Sequence, residues 1–327
     1  MFDEFFEKIG LRSTNGVPPG GDDHDENRRS TRGRVSDRIA GVPPVTRALF
    51  ARIASADARA VALALVLVLS VPAMAIGSVG ATATTQSGAI EISTVDELQA
   101  MNDDLSADYV LVDDIDASET ATWNNGAGFE PIGPTANGSF MGSLDGNGHE
   151  ISGLTINRPD ENHAGLFASS YGDITDVNVT DADIVGNNQS SISQTAILVA
   201  ELQSATVENV TVEGTVEGHR NTAGLIGLSQ GSTVTNVSGD VSVTGEAYVG
   251  GLIGDASSTS VSNAEVSGSV EGTYERIGGL VGYATLGEIS DSSSSVDVTG
   301  EQVVGGLVGE TANTDISQTF AKGDRKG

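Results

Sequence analysis

Six leucines, Leu166, Leu198, Leu225, Leu252, Leu280 and Leu307, recur along the second half of this chain at steps of 32, 27, 27, 28 and 27 residues. The residues around them repeat as well, so that Val249-Gly-Gly-Leu-Ile-Gly254 has near-copies in each unit. A period between about 20 and 50 residues means stacked units, because one unit alone is too small to bury its own apolar face. Nine residues after each leucine, eight in the first copy, an apolar run opens at Ile174, Val207, Val234, Val261, Ile289 and Ile316. Apolar residues then fall at every second or third position, which is strand periodicity, and no helical stripe of ten or more residues interrupts it. A propeller blade needs about 40–50 residues, whereas about 27 suits one three-sided coil of a β-helix. The repeat region is therefore expected to be all-β, a parallel β-helix solenoid.

Coils stacked about 4.8 Å apart turn each register position into a ladder. The six leucines form one internal ladder, with Leu252 expected to be buried between Leu225 and Leu280, and Val216, Val243, Val270 and Val298 form another. Gly218, Gly245, Gly272 and Gly300 are expected at corners, where positive φ or close backbone approach excludes a Cβ. Asn209, Asn236 and Asn263 share one register, continued by Asp291 and Gln318, which predicts a corner ladder of stacked amides. In the final unit Arg325 takes the place of the inward valines, so its side chain must point out or fray. No polar terminal cap follows it, which raises the expectation of a chain that stops short of its natural end and self-associates there, or of a partner chain covering the edge.

At the leucines the chain resembles the GLUG-motif surface proteins. The resemblance rests on Gly224-Leu-Ile-Gly227, Gly251-Leu-Ile-Gly254, Gly279-Leu-Val-Gly282 and Gly306-Leu-Val-Gly309, with degenerate forms at Gly165-Leu-Phe-Ala168 and Ile197-Leu-Val-Ala200. The lead-in from Phe140 to Leu154 is similar to the segment that precedes such repeats, so the likeness covers about Glu91 to the end. It implies a secreted or surface-displayed protein, with adhesion a common role, and the motif also occurs beside bacterial immunoglobulin-protease domains.

Charge narrows the partners. The chain has 45 acidic against 16 basic residues, a net charge of −29, and no cysteine. Ten of the basic residues lie before position 76, leaving six beside 36 acids in the repeat region. Such a surface excludes nucleic acid as a partner, repels anionic membrane, and with only three lysines fits a protein kept soluble at high salt. Without cysteine there is neither a disulfide framework nor a thiolate metal site.

Residues 1–59 read as a cytoplasmic or leader segment, largely without core residues, in which the Arg28-Arg29 pair sits too far from the next apolar stretch for an ordinary twin-arginine signal. Residues 60–83 read as a signal peptide or a transmembrane anchor: 60–75 is uncharged, follows Arg47, Arg52 and Arg59, and ends in Ala73-Met-Ala75. Either reading exports the repeats, and an uncleaved segment makes the membrane a partner. Residues 84–93 form a linker and first strand, 94–160 an N-terminal cap and the first coils, and 161–327 the repeats. Thr94-Val-Asp-Glu97 is a capping-box pattern that predicts a short helix through about Met101, placed to cover the open first coil. Tyr109 is expected to start that coil.

Chemistry-bearing residues are sparse. Asp113, Asp114 and Asp116 could hold calcium, but the spacing matches no calcium loop and a solvated acidic turn accounts for them. His149-Glu150 begins like a helical zinc-protease motif, but Gly153 stands where the second histidine belongs. His24, His163 and His219 have no partner at a recognisable spacing. No catalytic, cofactor-binding or metal residue is therefore assigned, and no cofactor is expected. Of the sequons, Asn137 and Asn188 lie in loop-like inserts and are the better glycosylation candidates, ahead of Asn178, Asn209 and Asn236. The reading is an exported, non-catalytic binding, adhesion or display module with an unidentified carbohydrate or protein ligand. The alternatives are a secreted carbohydrate-active β-helix lyase or glycosidase, and a stalk for a domain absent from this chain.

Overall fold

In the computed structural model, which describes residues 88–134 and 138–326, the repeats stack as a parallel β-solenoid of about seven coils. Among the described residues one sheet has sixteen strands, from Ile90–Ile92 through Thr206–Glu217, Thr233–Gly245 and Ser260–Gly272 to Asp315–Ser317. Two further sheets have six strands each. The second sheet includes Arg220–Ala223, Ala247–Gly250 and Glu275–Gly278, and the third includes Ile226–Gln230, Ile253–Ser257 and Val281–Thr285. Register follows the sequence period: Val207 pairs with Val234, Val234 with Val261, Val261 with Ile289 and Ile289 with Ile316.

Most of the uneven spacing is absorbed at one place, apart from single-residue shifts in the early coils such as that between Val179 and Ala182. Gly245 pairs with Gly272 but Val249 with Ile277, so the extra residue of the longer unit sits between first and second sheet, beside the exposed Tyr274. The longest step is spent at the same corner, because Val185 pairs with Glu217 while Thr195 pairs with Thr222. Both ladders lie inside. Leu166, Leu198, Leu225, Leu252 and Leu280 are at most 1% exposed, and Val216, Val243, Val270 and Val298 at most 2%. Leu307, in the last coil, packs against the core but is only partly buried.

The corners are turned differently from the sequence expectation. Gly218, Gly245, Gly272 and Gly300 do not have positive φ. A Cβ there would instead strike an inward side chain: 2.6 Å from Thr222 Oγ1 at Gly218, 2.8 Å from Val249 Cγ2 at Gly245 and 2.1 Å from Ile277 Cδ1 at Gly272. These glycines make room inside the coil. Three columns of left-handed residues turn the chain. One is the amide register Asn209, Asn236, Asn263, Asp291 and Gln318, with φ between 48° and 56°. A second is Ser204, Gly231, Ser258, Leu286 and Asn313, and a third is Asn221, Tyr248, Arg276 and Val303. In the first column Asn236 donates to Asn209 at 3.1 Å, Asn263 to Asn236 at 2.6 Å and Gln318 to Asp291 at 2.6 Å. Asn209 in turn donates to Asp176, another left-handed residue, at 2.9 Å, so the ladder starts one coil earlier than the asparagines. Asparagine tolerates this backbone region better than other side chains, and here its amide is also satisfied from coil to coil.

The last glycine of each motif has a backbone reason. A Cβ on Gly254 would lie 2.6 Å from the Gly227 oxygen and 2.8 Å from the Tyr248 oxygen, and one on Gly227 2.7 Å from the oxygens of Ala200 and Asn221. The second and third sheets therefore meet backbone to backbone along this line, which only glycine permits.

The first coil begins at Ile90–Ile92, which pairs with Tyr109–Leu111, one strand before the expected start at Tyr109. Helix α1 (Val95–Gln99) follows and tightens into a 3-10 turn through Asp103. Thr94 Oγ1 accepts from the Glu97 N–H at 3.2 Å, as a capping box requires, but Glu97 reaches back to the N–H of Ser93 at 2.8 Å instead of that of Thr94. Val95, Leu98 and Met101 are buried in the core. Among the described residues no helix is long and apolar enough to cross a membrane. Segments 1–59 and 60–83, His24 and Asn137 lie outside the described residues.

Candidate ligand-binding face

Aligned on the leucines, two outward positions per unit converge where the second and third sheets meet. Four residues before the leucine stand the left-handed Asn221, Tyr248, Arg276 and Val303. Three residues after it stand Glu201, Leu228, Asp255, Tyr283 and Glu310, paired in that order across the third sheet. Arg220 is added from the strand preceding Tyr248. Two of the six basic residues of the repeat region thus share one patch with two of its tyrosines.

The guanidinium of Arg220 lies 4.0 Å from the centre of the Tyr248 ring, and that of Arg276 lies 4.7 Å from Tyr248 and 5.1 Å from Tyr283. The rings meet edge to face at 5.8 Å. Such contacts hold a cation in place while leaving its N–H edge free to donate. Arg276 is engaged through three of its five N–H donors: Nε bonds to Glu310 at 2.7 Å, and one terminal nitrogen bonds to Glu275 at 2.6 Å and to the Tyr248 hydroxyl. Arg220 is not. Among the described residues its side chain has neither a hydrogen-bond nor an ion-pair partner, and the same holds for the carboxylate of Asp255. Burial pushes the Asp255 carboxyl up to about 6, against the opposing pull of Arg220 and Arg276.

The three described histidines each face a carboxylate. His149 Nδ1 is 3.0 Å from Asp114, His163 Nε2 is 3.6 Å from Glu201, and His219 meets Glu246. The nearby His163 ring holds the Glu201 carboxyl below its ordinary range despite burial, and the hydrogen bond from His149 does the same for the exposed Asp114. Asp114 also accepts from the Glu150 N–H, Asp116 from the Ser118 N–H and Asp113 from the Asp114 N–H. The acidic run is thus engaged by its own turn and, through Asp114, by the next coil. Among the described residues no group of three or more His, Asp or Glu is placed to hold a metal ion. Asn188 is exposed in the loop between Asn178–Val185 and Gln194–Thr195, whereas Asn178, Asn209 and Asn236 sit within paired strands. A depression of about 300 Å³ lies beside His163, but its cation, Arg158, is already bonded to the Phe129 carbonyl at 3.0 Å and to Glu161 at 2.7 Å.

Sequence reasoning missed the tyrosine and arginine patch because aromatic and basic residues are rare in the chain and far apart in it. The signal was present in the leucine alignment, since Tyr248 and Arg276 share one offset and Asp255 and Tyr283 another.

Comparison with known proteins agrees with this architecture. The family model described as the GLUG motif matches residues 273–299. Over 142 residues the chain is 39% identical to halomucin of Haloquadratum walsbyi, covering 41% of this chain and 2% of that protein. Over 59 residues it is 48% identical to a "Putative Gly-rich membrane protein" of Evansella cellulosilytica, covering 18% of this chain and 7% of the other. The chain therefore spans a small fraction of the curated relatives it matches. The crystal structure of "a putative immunoglobulin A1 protease from Bacteroides ovatus" superposes with a TM-score of 0.58 over 72% of this chain and 76% of that one, at 16% identity, a likeness of fold alone. Motif, relatives and coils agree: the chain carries the GLUG motif as the repeating unit of a parallel β-solenoid.

Proposed function

We propose that this chain is a non-catalytic binding or display module exported to the cell surface, with a carbohydrate or protein ligand. The observation that carries the reading is how the motif is used. Its leucines pack inward and its glycines lie against backbone, so the repeated spacing builds a scaffold and the outward register positions are left free to differ from coil to coil. Export is supported by the apolar 60–83 segment, acting as signal or anchor, and by the likeness to a protein named for the membrane. The net charge of −29 and the halomucin likeness support adaptation to high salt. Helix α1 acts as the N-terminal cap in this reading: its apolar face is buried and Gln99 binds both the N–H and the carbonyl of Glu130 at 2.9 Å.

Protease treatment of intact cells carrying the full chain with an epitope after the last residue tests export. The epitope should be removed while a cytoplasmic marker survives. An epitope that is lost only after lysis sinks the reading.

A further inference from the structure

The patch around Tyr248 has three properties that a mere scaffold does not need. First, Tyr248 and Arg276 hold φ of 58° and 62°, at a corner that Asn221 turns in the preceding coil. Bulky side chains pay for that conformation where asparagine pays less, and such strain collects at functional sites. Second, the guanidinium of Arg220 lies over the Tyr248 ring with its donors unused, while its neighbour Arg276 is tied down by Glu310, Glu275 and Tyr248. Third, the half-buried Asp255 stands between Leu228 and Tyr283 in register, where its carboxylate finds no donor among the described residues. The preceding coil fills that position with an apolar side chain, so packing alone does not call for a charge there.

A fixed donor and an unmet acceptor, walled by two tyrosines, need a ligand that both donates and accepts from one rigid frame. Anions are opposed by Asp255, Glu275 and Glu310 and by the net charge of the chain, and cations by the two arginines. An uncharged polyol fits both demands: one hydroxyl donates to Asp255 while an adjacent oxygen accepts from Arg220. We propose that Arg220, Tyr248, Asp255 and Tyr283 form a binding site for neutral saccharides. This names a ligand class for the proposed surface module and rests on that reading for its setting, although the test below uses purified protein and does not depend on export.

Saturation-transfer NMR and calorimetry on the full chain, with maltohexaose, cellohexaose and mannohexaose as neutral probes and oligogalacturonate as the acidic one, decide the matter. At least one neutral probe should bind, and Arg220→Ala and Tyr248→Ala should each weaken it about tenfold or more. Asp255→Leu places the residue of the preceding coil in this one. It should fold with a higher melting temperature and still lose binding about tenfold, a combination that misfolding cannot produce. Tyr171→Ala, at an exposed tyrosine outside the patch, should leave binding unchanged. Binding of oligogalacturonate alone, no binding of any neutral probe, or neutral binding that survives all three patch substitutions overturns the proposal. Those results would leave the export reading standing, whereas a chain that binds neutral glycans but stays inside the cell would refute only the latter.

Discussion

Replacing Asp255 by asparagine removes one charge at nearly constant shape, and should make the protein more stable. The folded carboxyl titrates at about 6 against an ordinary value of 3.8. That gap corresponds to at most about 3 kcal/mol of penalty on the ionised form, and since part of the side chain meets water, about 1–2 kcal/mol is the realistic gain. The sign follows from proton binding. Between 3.8 and about 6 the folded state holds its proton more tightly than the unfolded state, so stability falls as pH rises through that window. Above about 6 the wild type bears the whole penalty, and below 3.8 it bears none. Scanning calorimetry of wild type and Asp255→Asn at about pH 8 should therefore show the variant melting about 2–8 °C higher, the advantage shrinking toward zero near pH 4. An Asp255→Asn protein no more stable than wild type at the higher pH, or one whose advantage is the same at both, would refute the reasoning that burial dominates the two arginines.

Three further outcomes follow from the scaffold. Gly254→Ala should cost about 2–4 kcal/mol in urea unfolding, because its Cβ would meet two backbone oxygens within 2.8 Å; an unchanged midpoint would show that the two sheets can part there. Asn236→Gly keeps the left-handed corner and loses only the amide bonds, whereas Asn236→Ala loses both, so the alanine variant should be the less stable by about 1 kcal/mol, and equal melting curves would remove the conformational argument. Transfer from molar salt to dilute buffer should lower the melting temperature followed by circular dichroism, since a net charge of −29 is then unscreened; a constant value across the series would defeat salt adaptation.

The leucine period made the coil legible from sequence because a solenoid repeats its environment at every step, so register is written directly in spacing. Val207, Val234 and Val261 pair as their separation says. The corners were harder to read. Glycine signals a turn in most chains, yet here Gly245 and Gly272 clear space for Val249 and Ile277, and the turning residues include Tyr248, Arg276 and Val303, which no propensity scale would place at positive φ. The ligand-binding face was hidden for a related reason. Each unit contributes one or two residues to it, and their meaning lies in juxtaposition across coils: Asp255 is unremarkable in an acidic chain until Leu228 and Tyr283 are seen to cover its flanks.

The amide ladder has a direction, and this limits how such a protein can be lengthened. Every bond runs from an amide to the coil before it, from Gln318 to Asp291, and from Asn263 through Asn236 and Asn209 to Asp176. A carboxylate can end such a chain of donors but cannot pass it on, and no bond links Asp291 to Asn263 among the described residues. An aspartate at this corner therefore opens a run and amides extend it. A duplicated Asn236 unit inserted beside its parent would continue the run without a break, whereas a duplicated Asp291 unit placed among the asparagines would divide it in two. Growth by tandem duplication is thus free for amide units and carries a lost bond for each acidic one, so the identity of this single side chain acts as punctuation in how the repeats can multiply.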